Sequence, residues 1–381
     1  MYALRMAESV TEGHPDKVAD QLADALLDEF IKRDPYSRVS FEILVTTGLV
    51  MVGGELSSEA FVDIQRVVRS VIKEIGYTRP ELGFDADTCA VIQSIDEQSP
   101  EIALGLSGEG AGDTAIVVGY ATKEAPNLMP WPITLAHRIT RRVSELRKIG
   151  KYPFLRPDGK VLVSMIYEDG KPKFLQSVIA YVHHDPDVSL SKLRELITEE
   201  VIKREVPAEF ITDETEIKVN PTGRFVIGGP VADAGLTGRK IVSDAYGDIG
   251  LSGGSAFSGK DPTKTDRSGS YLARMMAKHV VAGGWAERCL VQIGYAFGLP
   301  EPVAFDVETF GTEKVDKDKL LKALKEVFPL RPAEIIEFLD LRKPIYRETA
   351  VYGQFGKEHL PWEKLTQLEK LYELLGEPGK L

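Results

Sequence analysis

The segment Gly253 to Asp266, GGSAFSGKDPTKTD, holds the pattern G-x-x-x-x-G-K at Gly254 to Lys260, and a true P-loop there would dictate a strand–loop–helix unit. The flanking residues refuse that fold. A P-loop follows an apolar strand directly, whereas Asp244 to Ser252 is polar and broken by Gly247 and Gly250. Lys260 is followed by Asp261 and Pro262, with no Ser or Thr for magnesium, and the proline stops a helix from running on from the lysine. The phosphate chemistry survives: glycines let backbone N–H groups approach an anion closely, and Lys260 and Lys264 add charge beside them. Taken alone, the segment reads equally well as a surface loop with two solvated lysines.

Neighbouring segments repeat the theme. Asn220 to Pro230 reads NPTGRFVIGGP and Gly235 to Lys240 reads GLTGRK, which adds Arg224, Arg239 and Lys240 on glycine turns. In a chain of formal net charge −11, three basic turns describe a local pocket for a polyanion set in an acidic body. The acidic balance argues against non-specific nucleic-acid binding.

Near the N-terminus, Val18, Leu22, Leu26 and Phe30 recur every four residues and predict a helix over Asp16 to Lys32 with one apolar face. Pro15 suits its first turn, and His14 then stands at the positive end, where an anion is favoured. Asp16 would repel a phosphate there unless a cation such as magnesium lay between them. Without a ligand, Asp16 is a helix-start acid and His14 a cap. Val39 to Thr46 and Leu49 to Leu56, joined at Thr47 and Gly48, predict an antiparallel hairpin. A two-residue turn puts Glu42 and Glu55 on one face as near-diagonal neighbours, so that face is either wet or serves a cation.

Further helices are expected over Ser57 to Gly76, Thr134 to Ile149, Ser189 to Val206, Asp266 to Ala282 and Glu363 to Leu375. Met275 and Met276 read as core filler, and His279, His183 and His184 as packed residues rather than ligands. With 381 residues, 43% of them hydrophobic, the chain can fill two or three domains. Cys89 and Cys289 lie far apart without metal-ligand spacing and read as free thiols of a reducing cytoplasm. No apolar stretch reaches membrane-spanning length, and Arg5 and Glu8 interrupt any signal peptide.

Six motifs carry a resemblance: ESVTEGHPDK at Glu8 to Lys17, GAGD at Gly110 to Asp113, the three basic segments above, and VETFGTEKV at Val307 to Val315. In this order they resemble the S-adenosylmethionine synthetase (methionine adenosyltransferase) family, over Glu8 to about Lys364. The resemblance implies an α/β (α+β) fold of three similar domains, each of mixed sheet plus helices, about a pseudo-threefold axis. The corresponding bounds are 1–98, 112–227 and 228–370. It implies a dimer with sites at the subunit interface, commonly paired into a tetramer, and a cytoplasmic enzyme of ATP and L-methionine.

Carried over by position, the resemblance implies ATP contacts from His14, Asp158, Lys160, Arg224, Phe225, Asp233, Arg239, Lys240, Ala256 and Lys260. Glu55, Gln98, Asp113, Asp233 and Lys264 match the methionine site. Asp16 and, less directly, Asp266 match positions near two magnesium ions per site, and Glu42 matches a ligand of one potassium ion per subunit. The methionine sulfur is a thioether with no proton to remove, so attack on the 5′ carbon of ATP needs no general base. Catalysis then rests on alignment and on charge aimed at the departing triphosphate, assigned to His14, Lys160, Arg239, Lys240 and Lys260. The chain departs from the family pattern in a shortened lid-like segment, Ser94 to Asp113, in Ser255 and in Gln354, where histidine is usual. Two rival readings are a phosphotransferase using the same basic loops and a non-catalytic subunit of the same fold.

Overall fold

The computed structural model describes residues 2–97, 110–249, 253 and 255–378. Its strands are β1 (Tyr2–Val10), β2 (Arg38–Thr46), β3 (Leu49–Ser57), β4 (Ala90–Asp96), β5 (Ala115–Thr122), β6 (Leu155–Glu168), β7 (Lys171–His184), β8 (Glu216–Val219), β9 (Gly235–Leu236), β10 (Arg288–Tyr295) and β11 (Ala304–Glu308). They form three sheets, ordered β1-β6-β7-β8, β11-β10-β5 and β4-β3-β2-β9. The first and third sheets mix parallel and antiparallel pairs, through β7–β8 and β3–β4, while the described pairs of the second are antiparallel. Each sheet takes strands from distant parts of the chain: β1 joins β6, β5 joins β10, and β9 returns to β2. With helices on these sheets, the α/β class of the resemblance is present.

The hairpin forms with the expected two-residue turn. Thr46 faces Leu49 across it, and Gly48 takes a φ of 63°, a left-handed conformation that glycine adopts without strain. Glu42 pairs with Gly53 and Glu55 with Ser40, so the two acids do share a face. The opposite face carries Val39, Phe41, Ile43, Val45, Val50 and Val52, all buried against the helices.

Helix α1 (Pro15–Arg33) buries Val18, Leu22, Leu26 and Phe30 as the spacing predicts. The expectation of one apolar face is too simple, because Asp16, Lys17, Asp20, Gln21 and Asp24 are buried as well. Those acids find partners on the C-terminal loops described below. Helix α2 (Ile64–Ile75) starts seven residues later than the expected Ser57: Ser57 still belongs to β3, and the Asp63 side chain caps the helix by accepting the Arg66 N–H at 3.1 Å.

Helix α3 (Trp131–Lys148) packs on β1 and β6, and α4 (Leu190–Leu196) runs into a π turn over Ile197–Ile202. Helix α5 (Thr265–Ala282) is buried nearly all round. The final helix, α6 (Leu368–Leu375), is shorter than expected because Pro361–Glu363 forms a separate 3-10 turn. Glu363 goes instead into the core, bound by Arg274 and Lys278 of α5 at 3.0 and 2.8 Å. His279 is a packed residue: Nδ1–H donates to the Met275 carbonyl at 2.8 Å and Nε2 accepts the Gln367 N–H at 3.1 Å. Cys89 and Cys289 are buried free thiols.

Candidate active site

The site begins where β1 hands over to α1. His14 caps the helix with Nδ1, which accepts the Asp16 N–H at 3.2 Å and so leaves the ring proton on Nε2. Burial, then the charges of Lys240, Lys160 and Lys17, push the imidazole down to about 3 against the opposing pull of Asp16. His14 is therefore neutral at ordinary pH. The ring offers an N–H to a ligand rather than the positive charge that a tally of basic residues assigns to it.

Asp16 accepts the Leu236 N–H at 3.0 Å and the Lys240 ammonium at 2.6 Å, with Arg239 at 3.8 Å. Burial alone would raise this carboxyl, but the bonds from Lys240 and Leu236 hold it below the ordinary range, so it is ionised. From β6, Asp158 accepts the Gly229 and Gly159 N–H groups at 2.8 and 2.7 Å. Its burial, reinforced by the nearby charges of Asp233 and Asp16, pushes it up to about 6 despite those two bonds. Lys160, two residues along β6, pairs with Glu8 of β1 at 2.6 Å. His14, Asp16, Asp158, Lys160, Asp233, Arg239 and Lys240 thus form one electrostatic cluster.

The second basic turn lies further along α1. Gly259 and Lys260 dock on β2, where the Phe41 N–H donates to the Gly259 carbonyl at 2.9 Å and Ser40 bridges to Lys260. The Lys260 ammonium meets Asp266 Oδ2 at 2.7 Å, while the buried Oδ1 of Asp266 has no hydrogen-bond partner. Lys264 is ion-paired to Asp261, whose Oδ2 also accepts the Val39 N–H at 2.8 Å. Neither lysine is simply a solvated side chain. Helix α5 starts at Thr265, not directly after Lys260, and this is the departure from a P-loop that Pro262 predicts.

Comparison with known proteins gives these residues a context. Family models described as the N-terminal, central and C-terminal domains of S-adenosylmethionine synthetase match residues 3–100, 108–225 and 227–364. The chain belongs to the S-adenosylmethionine synthetase family. It is 84% identical over 375 residues to an S-adenosylmethionine synthase of Aquifex aeolicus, covering 98% of this chain and 100% of the relative. It is 53% identical to one of Desulforudis audaxviator, covering 96% of both chains, and 52% identical to one of Thermus thermophilus, covering 97% of this chain and 98% of the relative. In this synthetase the cluster draws on all three matched regions: His14 and Asp16 on the first, Asp158 and Lys160 on the second, Asp233, Arg239 and Lys240 on the third.

Other residues singled out in the sequence stand at varying distances from this centre. Ala256 lies against the first basic turn, since a Cβ on Gly238 would come within 2.6 Å of its methyl group. Asp113 is exposed near the start of α5, its carbonyl accepting the Thr265 hydroxyl at 3.5 Å. Glu42, on the open face of β2, is held above the ordinary carboxylate range by desolvation, with Lys260 opposing and Asp20 reinforcing. Glu55 of β3 aligns with Ser40 of β2 and Asp96 of β4. Arg224 turns to the Pro186 carbonyl, and Phe225 stacks on His183 with its N–H on His184 Nε2 at 3.0 Å. No described contact joins Glu55, Arg224 or Phe225 to the Asp16 cluster. Gln98 and most of the lid-like segment lie outside the described residues.

No group of three or more acidic, histidine or cysteine side chains gathers as a metal cage among the described residues. Magnesium needs no such cage, because one or two carboxylates complete its shell together with phosphate oxygens and water. Ionised Asp16 and the unpartnered oxygen of Asp266 fit that requirement. Sequence reasoning missed Lys17, Asp20, Asp24 and Arg267, although the four-residue spacing of Asp16, Asp20, Asp24 and Asp28 was there to be read.

Proposed function

We propose that this chain makes S-adenosylmethionine from ATP and L-methionine, and that the cations converging on ionised Asp16 mark where the triphosphate lies. A lone pair of the methionine sulfur attacks the 5′ carbon, and the bond from that carbon to the triphosphate oxygen breaks with its electrons on the leaving oxygen. The products are a sulfonium and tripolyphosphate, with no proton transferred. Water then cleaves the tripolyphosphate to phosphate and pyrophosphate on the same cationic bed.

Lys160, Arg239, Lys240 and Lys260 supply charge to the departing oxygens, and neutral His14 supplies an N–H. Arg224, Phe225, Asp158 and Ala256 serve the nucleotide, and Glu55, Gln98, Asp113, Asp233 and Lys264 the methionine. Acids beside the sulfur favour the positive charge that forms there. Two magnesium ions at Asp16 and Asp266 would neutralise phosphate oxygens, and one potassium ion at Glu42 would offset that carboxylate on the open face of β2.

Domain bounds of 1–98, 112–227 and 228–370 belong to the same reading, as does a dimer with shared sites that pairs into a tetramer. The detachment of Glu55 and Arg224 from the Asp16 cluster supports sites completed by a second subunit. Two buried free thiols support a cytoplasmic setting, and no described helix is long and apolar enough to cross a membrane. Purified protein incubated with ATP, methionine, magnesium and potassium should release S-adenosylmethionine, phosphate and pyrophosphate. Recovery of ADP or AMP with a phosphorylated acceptor would replace this reading with a phosphotransferase.

A further inference from the structure

Asp16, Asp20 and Asp24 stand on successive turns of α1, about 6 Å apart along its axis. Each accepts a backbone N–H from a basic turn. Asp16 takes Leu236 at 3.0 Å, Asp20 takes Gly238 at 2.9 Å, and Asp24 takes Gly259 at 2.9 Å. Gly238 and Gly259 immediately precede Arg239 and Lys260, so each contact fixes the backbone one residue before a cation. Both glycines have left-handed φ values, 78° and 83°, and a Cβ on Gly259 would come within 2.2 Å of the Phe41 carbonyl oxygen. The two turns are therefore held in shapes that their own sequence makes tight.

Two of these acids are fully buried and carry expensive partners. Asp24 makes a two-pronged ion pair with Arg267 at 2.7 and 2.8 Å, with both side chains at 0% exposure. Arg267 reaches on to the Lys260 carbonyl at 3.1 Å, so the pair grips the Gly259–Lys260 dipeptide at the N–H of one residue and the C=O of the other. Asp20 pairs with Lys17 at 2.8 Å, and Lys17 also pairs with Asp244. A buried ion pair stabilises no better than packed apolar side chains of similar size, so stability alone gives little reason for two of them side by side. What an apolar pair would lack is the grip on the turns.

We infer that Asp20 and Asp24 are positioning residues for the reaction: through the Gly238 and Gly259 amides they set where Arg239, Lys240 and Lys260 meet the triphosphate. This inference rests on the functional reading above. Neither acid touches substrate in it; each acts through a turn, and hydrogen bonds from Lys17 and Arg267 hold the acids in place. A shift of about 1 Å in such a turn is enough to cost on the order of a hundredfold in rate.

The test compares the parent with the paired variant Asp24→Leu/Arg267→Met, which removes both buried charges together, and with Asp20→Asn, which keeps the side-chain size. Melting temperature, kcat, KM for ATP and for methionine, and binding of inorganic tripolyphosphate are measured on each. The expected result is a melting temperature near the parent's, kcat at least about tenfold lower, tripolyphosphate bound at least about tenfold more weakly, and an unchanged KM for methionine. If the paired variant fails to fold, Asp20→Asn decides on the same measurements. A folded variant with parental kcat and parental tripolyphosphate binding overturns the inference. So does a loss confined to the KM for methionine. A parent that makes no S-adenosylmethionine fails the functional reading instead, and the two failures are thereby distinguished.

Discussion

The buried residues of the apolar core beneath β6 and β7 lie between Leu135 and Val219, with Trp131 and Ile249 packed against it, while the other core takes buried residues from Ala7 to Ile133 and again from Ala245 to Leu375. The first and last matched regions of the synthetase family thus share one interior, to which the start of the central region adds β5, Met129 and Ile133, while the rest of the central region packs in a core of its own. The acid face of α1 and the basic turns it holds lie within the shared unit. The central unit contributes Asp158 and Lys160 from β6, at its boundary with β1. Kinship in sequence marks three regions, but packing divides the molecule into two unequal bodies that meet at the site.

Matched cavities test this division most severely. Leu22 and Leu193 are both fully buried, one in each core. Leu22→Ala and Leu193→Ala should each destabilise by about 2–5 kcal/mol in denaturant titrations. Only Leu22→Ala, beneath the acid face of α1, should also raise the KM for ATP. An equal rise in Leu193→Ala would break the comparison.

Cations from the two bodies give the next largest effect. Lys260→Ala, on the shared side, and Lys160→Ala, on the central side, should each lower turnover by about a hundredfold, or about 2.7 kcal/mol of barrier. Steady-state rates on folded variants check this. An unimpaired Lys160→Ala enzyme would assign the chemistry to the shared body alone.

Histidines provide a matched pair for pH. Burial pushes both His183, in the central body, and His279, in the shared one, down to about 4. Their unfolded counterparts titrate near 6.5, so as pH falls the unfolded chain takes up protons that the folded chain refuses. Stability is full above about 6.5 and is lost as pH falls toward about 4, by about 2 kcal/mol for each ring between pH 7 and 5. His183→Gln and His279→Gln should therefore flatten the acid limb of the melting curve by similar amounts. If only one does, the two interiors differ in how they exclude the proton.

The smallest effect concerns the open face of the hairpin. Potassium should activate the parent modestly over sodium, and Glu42→Gln should blunt that activation without changing the melting temperature. Equal rates of the parent in the two salts would remove potassium from this face.

Much of the local structure was legible because local rules decide it. The four-residue spacing of Val18 to Phe30 gives α1, Thr47 and Gly48 give the hairpin and its register, and Pro262 keeps a helix from following Lys260 directly. Boundaries were less legible where a tertiary contact competes with propensity. Ser57 stays in β3 and Asp63 caps α2, and Glu363 leaves the last helix for the charges of Arg274 and Lys278.

The sequence by itself determined the family and the residue types of the site, because glycine turns and cations are chemical requirements of a phosphate bed and are written in consecutive residues. Only the tertiary structure decided how those residues work together. His14 is neutral because burial desolvates its ring and the charges of Lys240, Lys160 and Lys17 add to that effect, and two of those lysines come from distant segments. Asp20 and Asp24 look like the polar side of a surface helix until Gly238, Gly259 and Arg267 fold against them across more than two hundred residues of chain. Long-range electrostatics and packing depend on which segments meet, and periodicity along one segment carries no information about that meeting.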